Sequence, residues 1–243
     1  MIDNSVPNAL NPDHPIKSVK DDRLGYSRTA ELLAQAFLVN DISDGFVIGV
    51  EGSWGSGKSS LVEMSLTSLA AAPDAPAIVR FAPWLVGDRD ALLQHFFAEL
   101  SPAIEERVPA PQRVTARAII KRYGQLSGGF AAAATVLQKL GLPGAELAAD
   151  IFEASGDAAK EVAGKSLTQL NKELRAQLEM LDGSIIVFID DLDRLEPKEV
   201  VEILRLVRAV ADFPNIAYIL AYDPDVLSHS LEKALDVPDG RAY

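Results

Sequence analysis

The sequence predicts a three-layer α/β domain built on a parallel sheet and carrying a helical insertion. Three observations predict it. Four β-prone apolar runs, at 46–50, 77–82, 185–189 and 215–221, alternate with segments of helical periodicity. The first run opens directly into a Gly/Ser-rich loop and a helix, and the third ends in a cluster of acids. Strands that alternate with helices are joined by crossovers, so they lie parallel with helices covering the sheet.

The 243 residues suit one to two domains at roughly 150 residues each. A hydrophobic fraction of 48% is ordinary for a packed core and too high for a disordered chain. With 23 Lys+Arg against 35 Asp+Glu, the formal net charge is −12. Such a chain is a poor general binder of nucleic-acid backbone, which needs clustered cations. The absence of cysteine excludes disulfides, Cys-ligated zinc, iron–sulfur clusters and a Cys nucleophile. His14, His95 and His229 have no metal-ligand spacing. Met1 to Asp22 is polar and Pro/Asp-rich, without the apolar stretch of a signal peptide. The most apolar segment, Gln125 to Gln138, is shorter than the roughly 18–20 residues a membrane helix needs. The expectation is a soluble, cytoplasmic chain with no transmembrane segment.

Taken in order, residues 1–21 read as a polar, loosely ordered leader. Asp22 to Val39 turns helical, with Ser27 as the expected N-cap. Ile42 to Gly45 is a turn. Phe46 to Val50 is a continuous apolar run of the kind that suits a strand buried on both faces. Lys58 begins a helix, and Pro73 and Pro76 mark the turn that follows. Ala77 to Ala82 is the second strand, ended by Pro83 and Trp84. Asp90 to Leu100 is a helix, and Pro102, Pro109 and Pro111 are expected to break the chain.

Residues from about 105 to 165 read as an Ala-rich, locally helical insertion, with breaks at Gly124, Gly128–Gly129, Gly141–Gly144 and Gly156. Leu167, Leu170, Leu174, Leu178 and Leu181 then form an amphipathic stripe. The third strand is Ile185 to Ile189. Pro197 to Val210 is a helix with Pro at its first position. Asn215 to Ala221 is the fourth strand, and Asp223–Pro224 leads into a last helix to Leu235.

The loop after the first strand, Gly52-Ser53-Trp54-Gly55-Ser56-Gly57-Lys58-Ser59, matches G-x-x-x-x-G-K-S/T between a strand and a helix. Its glycines let the backbone curl until several N–H groups face one concavity, and the helix N-terminus adds partial positive charge. Lys58 can reach the β- and γ-phosphates, and Ser59 offers a hydroxyl to Mg²⁺. Gly52 to Ser59, with Ser60 next to them, are the expected nucleotide-binding residues. Trp54 either shields the phosphates or packs on a neighbouring loop.

Asp190 follows the apolar third strand, where P-loop NTPases place a carboxylate for Mg²⁺. Asp191 is positioned to orient or deprotonate an attacking water. The second strand, Ala77 to Ala82, lies between the two motif strands in sequence; an extra strand between the two sites, with an acid after the Mg²⁺ ligand, points to the additional-strand type of P-loop NTPase. Arg194 either contacts phosphate, in its own or a neighbouring subunit, or forms an Asp–Arg pair that organises the loop. Asp223, at the same rim, either senses the γ-phosphate through water or caps the last helix. Trp84 and Phe81 read as core residues at a strand exit, and His95 as packed within its helix.

GVEGSWGSGKSSL, RFAPW, FIDDLDRL and ILAYDPDVL together resemble the KAP family of P-loop NTPases, over about residues 20–243. Phe81 and Trp84 match that family's F-x-x-W; Asp190, Asp191, Asp193 and Arg194 match its D-D-L-D-R. The resemblance implies ATP binding and a signalling-type NTPase. Animal members are membrane-associated scaffolds, and bacterial ones include plasmid proteins that exclude phage. Many members insert two transmembrane helices where this chain has residues 105–165, which are too weakly apolar to span. Relatives also run on into a fifth strand and a helical lid, so the chain is expected to be a fragment or truncated product. A missing fifth strand would leave the phosphate-loop strand at the sheet edge.

The leading expectation is a Mg²⁺-dependent ATPase domain, residues 22–243, of slow turnover. Lys58 and the loop amides hold phosphate, Ser59 and Asp190 hold Mg²⁺, Asp191 is the base, and protein partners or self-association complete the system. Two other classes are a nucleotide-operated switch with little hydrolysis, and an AAA+-like DNA-handling ATPase.

Overall fold

The computed structural model describes residues 15–16, 18–85, 89–127 and 164–242. Residues 1–14 of the expected leader, and the glycine breaks between 128 and 156, lie outside the described residues. Four strands, β1 (Phe46–Glu51), β2 (Ala77–Phe81), β3 (Ile185–Ile189) and β4 (Ile216–Tyr222), pair in the order β1-β4-β3-β2, and every pairing is parallel. The register aligns Glu51 with Tyr222 and Phe81 with Ile189. The carboxyl ends of all four strands therefore share one rim. β4 lies between β1 and β3, and it is the extra strand of the additional-strand arrangement.

Side-chain alternation sorts the helices onto two faces. On one face α1 (Ser27–Val39) and α2 (Lys58–Ala70) bury Phe37, Val62, Leu66 and Leu69 against Phe188 and Ile219. On the other, α3 (Arg89–Arg107), α4 (Arg113–Ser127), α5 (Leu167–Glu179), α6 (Pro197–Val210) and α7 (Pro224–Leu235) cover Val187, Tyr218 and Leu220. The leucine stripe is core at Leu170, Leu174 and Leu178, whereas Leu167 is exposed. None of the described helices is long and apolar enough to cross a membrane.

Four local expectations are corrected. β3 is buried throughout, but β1 alternates between half-buried and exposed residues, because Phe46, Ile48 and Val50 pack with the α1 and α2 core while Val47 and Glu51 point to the opposite face and stay exposed. α3 runs on through Pro102 to Arg107. The proline and Ala98, whose carbonyl loses its helical donor, both lie on the solvent side, where water can satisfy that carbonyl. α4 likewise runs through Gly124, whose open flank lies against Phe97 of α3. Ser27 is the first helical residue, and the groups at this helix start are satisfied by Asp22 instead. Its carboxylate accepts hydrogen bonds from Ser27 N at 2.8 Å, Ser27 Oγ at 2.5 Å, Leu24 N at 3.0 Å and Gly25 N at 2.9 Å.

Candidate functional site

The loop from Gly52 to Gly57 leaves β1 at the carboxyl rim and enters α2. Gly55 and Gly57 have φ of 75° and 90°, which glycine alone adopts without strain. At Gly57 a side chain is also excluded by space. A Cβ there would lie 2.8 Å from Leu24 Cδ1 and 2.9 Å from Tyr26 Cε2. The segment before α1 thus packs directly on the loop, and Tyr26 OH donates to Ser56 O at 2.7 Å. Lys58 Nζ folds back over the loop and donates to Gly52 O at 2.8 Å and Ser53 O at 3.2 Å. The Trp54 indole is 77% exposed, so it does not pack on a neighbouring loop.

The acids arrive from β3. Ile186 and Phe188 face α2, and continuing that alternation turns Asp190 the same way. Ser59 Oγ donates to Asp190 Oδ1 at 3.2 Å, which joins residues 131 positions apart in the chain. The same oxygen accepts Asp191 N at 2.9 Å. Burial raises the Asp190 carboxyl above the ordinary carboxylate range, opposed by its hydrogen bonds from Ser59 and Asp191. Asp191 is also raised, first by burial and then by its neighbour Asp190, against the pull of Arg194.

Asp191 has left-handed backbone, φ 57° and ψ 38°, uncommon for a residue other than glycine. Of the two readings left open for Arg194, the ion pair is the one formed here. Its Nε lies 3.1 Å from Asp191 Oδ1. Its guanidinium also stands 5.9 Å over the Trp84 ring, which corrects the reading of Trp84 as core: the indole is 46% exposed. Phe81 is buried against Phe96 and His95, as expected, with ring centroids 5.3 Å and 5.7 Å away.

Asp223 caps α7 and also reaches the phosphate loop. Its Oδ1 accepts Asp225 N at 3.0 Å, while Oδ2 accepts Trp54 N at 3.0 Å. Ser60 Oγ accepts a hydrogen bond from Ile16 N at 3.0 Å. Tyr26, Asp22 and Ile16 were not legible as parts of the site. The nearest sequence signal was the D-x-x-G-x-S spacing of a side-chain-capped turn.

The chemistry of these groups fits a nucleotide and a hard divalent cation. The loop is a concave run of backbone N–H groups at a helix start. A hydroxyl and a carboxylate, the oxygen ligands that Mg²⁺ favours, converge beside it. Among the described residues no group of three or more His, Asp or Glu side chains forms a metal cage by itself.

Comparison with known proteins gives two matches. The KAP family P-loop domain matches residues 26–242. The Phage T7 exclusion protein of Escherichia coli (strain K12) is 34% identical over 243 residues, which takes in 95% of this chain and 33% of that protein. The chain therefore spans about a third of the length of this curated relative.

Proposed function

The chain belongs to the KAP family of P-loop domains, and from that premise we propose that it is a Mg²⁺-dependent ATPase in which Asp191 activates the attacking water. The observation that carries this reading is the Ser59–Asp190 hydrogen bond with Asp191 adjacent to it. It brings a phosphate cradle and a candidate base to one point. The loop amides and Lys58 bind the phosphates, and Lys58 exchanges its loop-carbonyl partners for phosphate oxygens. Ser59 and Asp190 are the residues that would hold Mg²⁺, whose charge supports the phosphoryl oxygens during cleavage. Asp191 takes the proton of the water that attacks the γ-phosphorus, and its burial favours uptake of that proton nearer neutral pH. Catalysis of this kind is positioning and charge stabilisation.

Arg194 is held in its pair with Asp191 and is not aimed at phosphate, and turnover is slow. By analogy with the relative's name, we place the activity in phage exclusion. The setting is cytoplasmic, and partner proteins or further copies of the chain read the nucleotide state.

The test is phosphate release and ATP binding by the wild-type chain and by Lys58→Ala. The reading expects Mg²⁺-dependent release, with binding and release both lost in Lys58→Ala. Binding without release would leave a nucleotide-operated switch. Turnover that rises on adding DNA would favour a DNA-handling ATPase, against the net charge of −12.

A further inference from the structure

We propose that Trp84 is a positioning residue for hydrolysis, acting through Arg194 to fix the carboxylate of Asp191. The inference rests on reading Asp191 as the base. β2 and β3 are neighbours in register, with Phe81 opposite Ile189, so the turns that leave them lie side by side. One is the 3-10 turn Pro83–Leu85 and the other the 3-10 turn Leu192–Arg194, and the two pack on each other. Phe81 and Pro83 are buried and anchor the first turn, which presents the Trp84 indole outward. Arg194 bridges the two turns. Its guanidinium carbon lies 5.9 Å from the centre of the Trp84 ring, and its Nε meets Asp191 Oδ1 at 3.1 Å.

An exposed ion pair between two mobile side chains is weakly ordered in water. The arginine side chain here is 56% exposed, so the pair with Asp191 gives little fixed geometry by itself. A cation–π contact with the indole restrains the guanidinium and takes part of its surface out of water. The arginine can then hold Asp191 Oδ1 in one place, which leaves the other carboxylate oxygen to meet the attacking water. Lysine cannot do this, because it has neither the planar face nor the Nε edge. The device joins residues from two separated motifs, F-x-x-W and D-D-L-D-R, through one contact.

The test uses the full chain in two arms. In the kinetic arm, Trp84→Leu is expected to lower kcat about ten-fold, below the roughly hundred- to ten-thousand-fold that a general base supplies, with ATP affinity unchanged. Trp84→Phe, which keeps an aromatic face, is expected to recover most of that loss. Adding Trp84→Leu to Arg194→Leu is expected to cost nothing more. In the emission arm, Trp54→Phe leaves Trp84 as the sole tryptophan, since the chain has two. Its emission is expected to change in Arg194→Leu and in Asp191→Asn, and not in Asp225→Asn, which lies on α7.

Additive kinetic losses, equal losses of kcat and ATP affinity, an unchanged kcat in Trp84→Leu, or emission that ignores Asp191→Asn would each overturn the proposal. A wild-type chain that binds ATP but releases no phosphate removes the base and the positioning role together. The emission arm still separates that result from a contact that does not form.

Discussion

Asp22 shows how much one carboxylate can organise. Four donors from Leu24, Gly25 and Ser27 converge on it, and the Ser27 hydroxyl and the backbone amides hold its pKa down at about 2, from an ordinary value of 3.8. A depressed carboxylate stabilises the fold above its unfolded pKa and loses that contribution as pH falls through the folded one. The melting temperature of Asp22→Asn should therefore lie below that of wild type at pH 5. The gap should close between about pH 4 and pH 2, as followed by thermal melts across that range. A gap that stays constant with pH would show that charge at Asp22 is not what holds this turn.

At this scale the site was half legible. Lys58, Ser59 and Asp190 could be read because phosphate and Mg²⁺ chemistry demands those residue types at local spacing. Asp22 and Tyr26 could not, because Tyr26 meets a backbone carbonyl of the loop 30 residues later, and Asp22 acts through the turn that places it. Trp84 was misread because an aromatic residue at a strand exit has the same composition signature whether it faces the core or an arginine.

Among the elements, α7 and the phosphate loop share one residue. Asp223 is buried, caps the helix with Oδ1 and ties the Trp54 amide with Oδ2. The two roles cannot be separated by removing the side chain. Asp223→Ala should destabilise the chain by about 1–2 kcal/mol, as lost N-caps do, and should also weaken ATP binding. Chemical denaturation and titration calorimetry on the same variant check both. Lost stability with unchanged affinity would confine Asp223 to its helix.

Element identity was readable from periodicity, since each strand run and most helices fall where their patterns place them. The failures share a cause. Pro102 and Gly124 break helices by local rule, yet α3 and α4 pack on each other and continue past them. The edge position of β1 was inferred from the number of strands, while its run of apolar residues argued for burial on both faces. The alternating burial and the 39% exposure of Val47 follow from which face of β1 the helices α1 and α2 cover, which no local pattern encodes.

The whole molecule works as a frame that brings two distant motifs to one rim. Parallel strands all end on the same side, and β4 between β1 and β3 sets the gap that α2 and the Asp190 turn close across. Fold class followed from alternation and the loop motif together. The meeting of Ser59 and Asp190 was expected from the motifs, while the identity of the strand between them, β4, needed the three-dimensional frame. In the proposed reading, that frame divides the work: Lys58 holds the phosphates, and Asp191 activates the water that attacks them.

A single-turnover experiment separates the two. ATP labelled in the γ-phosphate is mixed with excess protein and Mg²⁺, and bound and cleaved nucleotide are measured together over time. Wild type should bind and cleave. Asp191→Asn should bind equally well and leave the nucleotide intact over the same interval, with a loss of at least about a hundred-fold in the cleavage rate. Cleavage by Asp191→Asn at the wild-type rate would rule out Asp191 as the base.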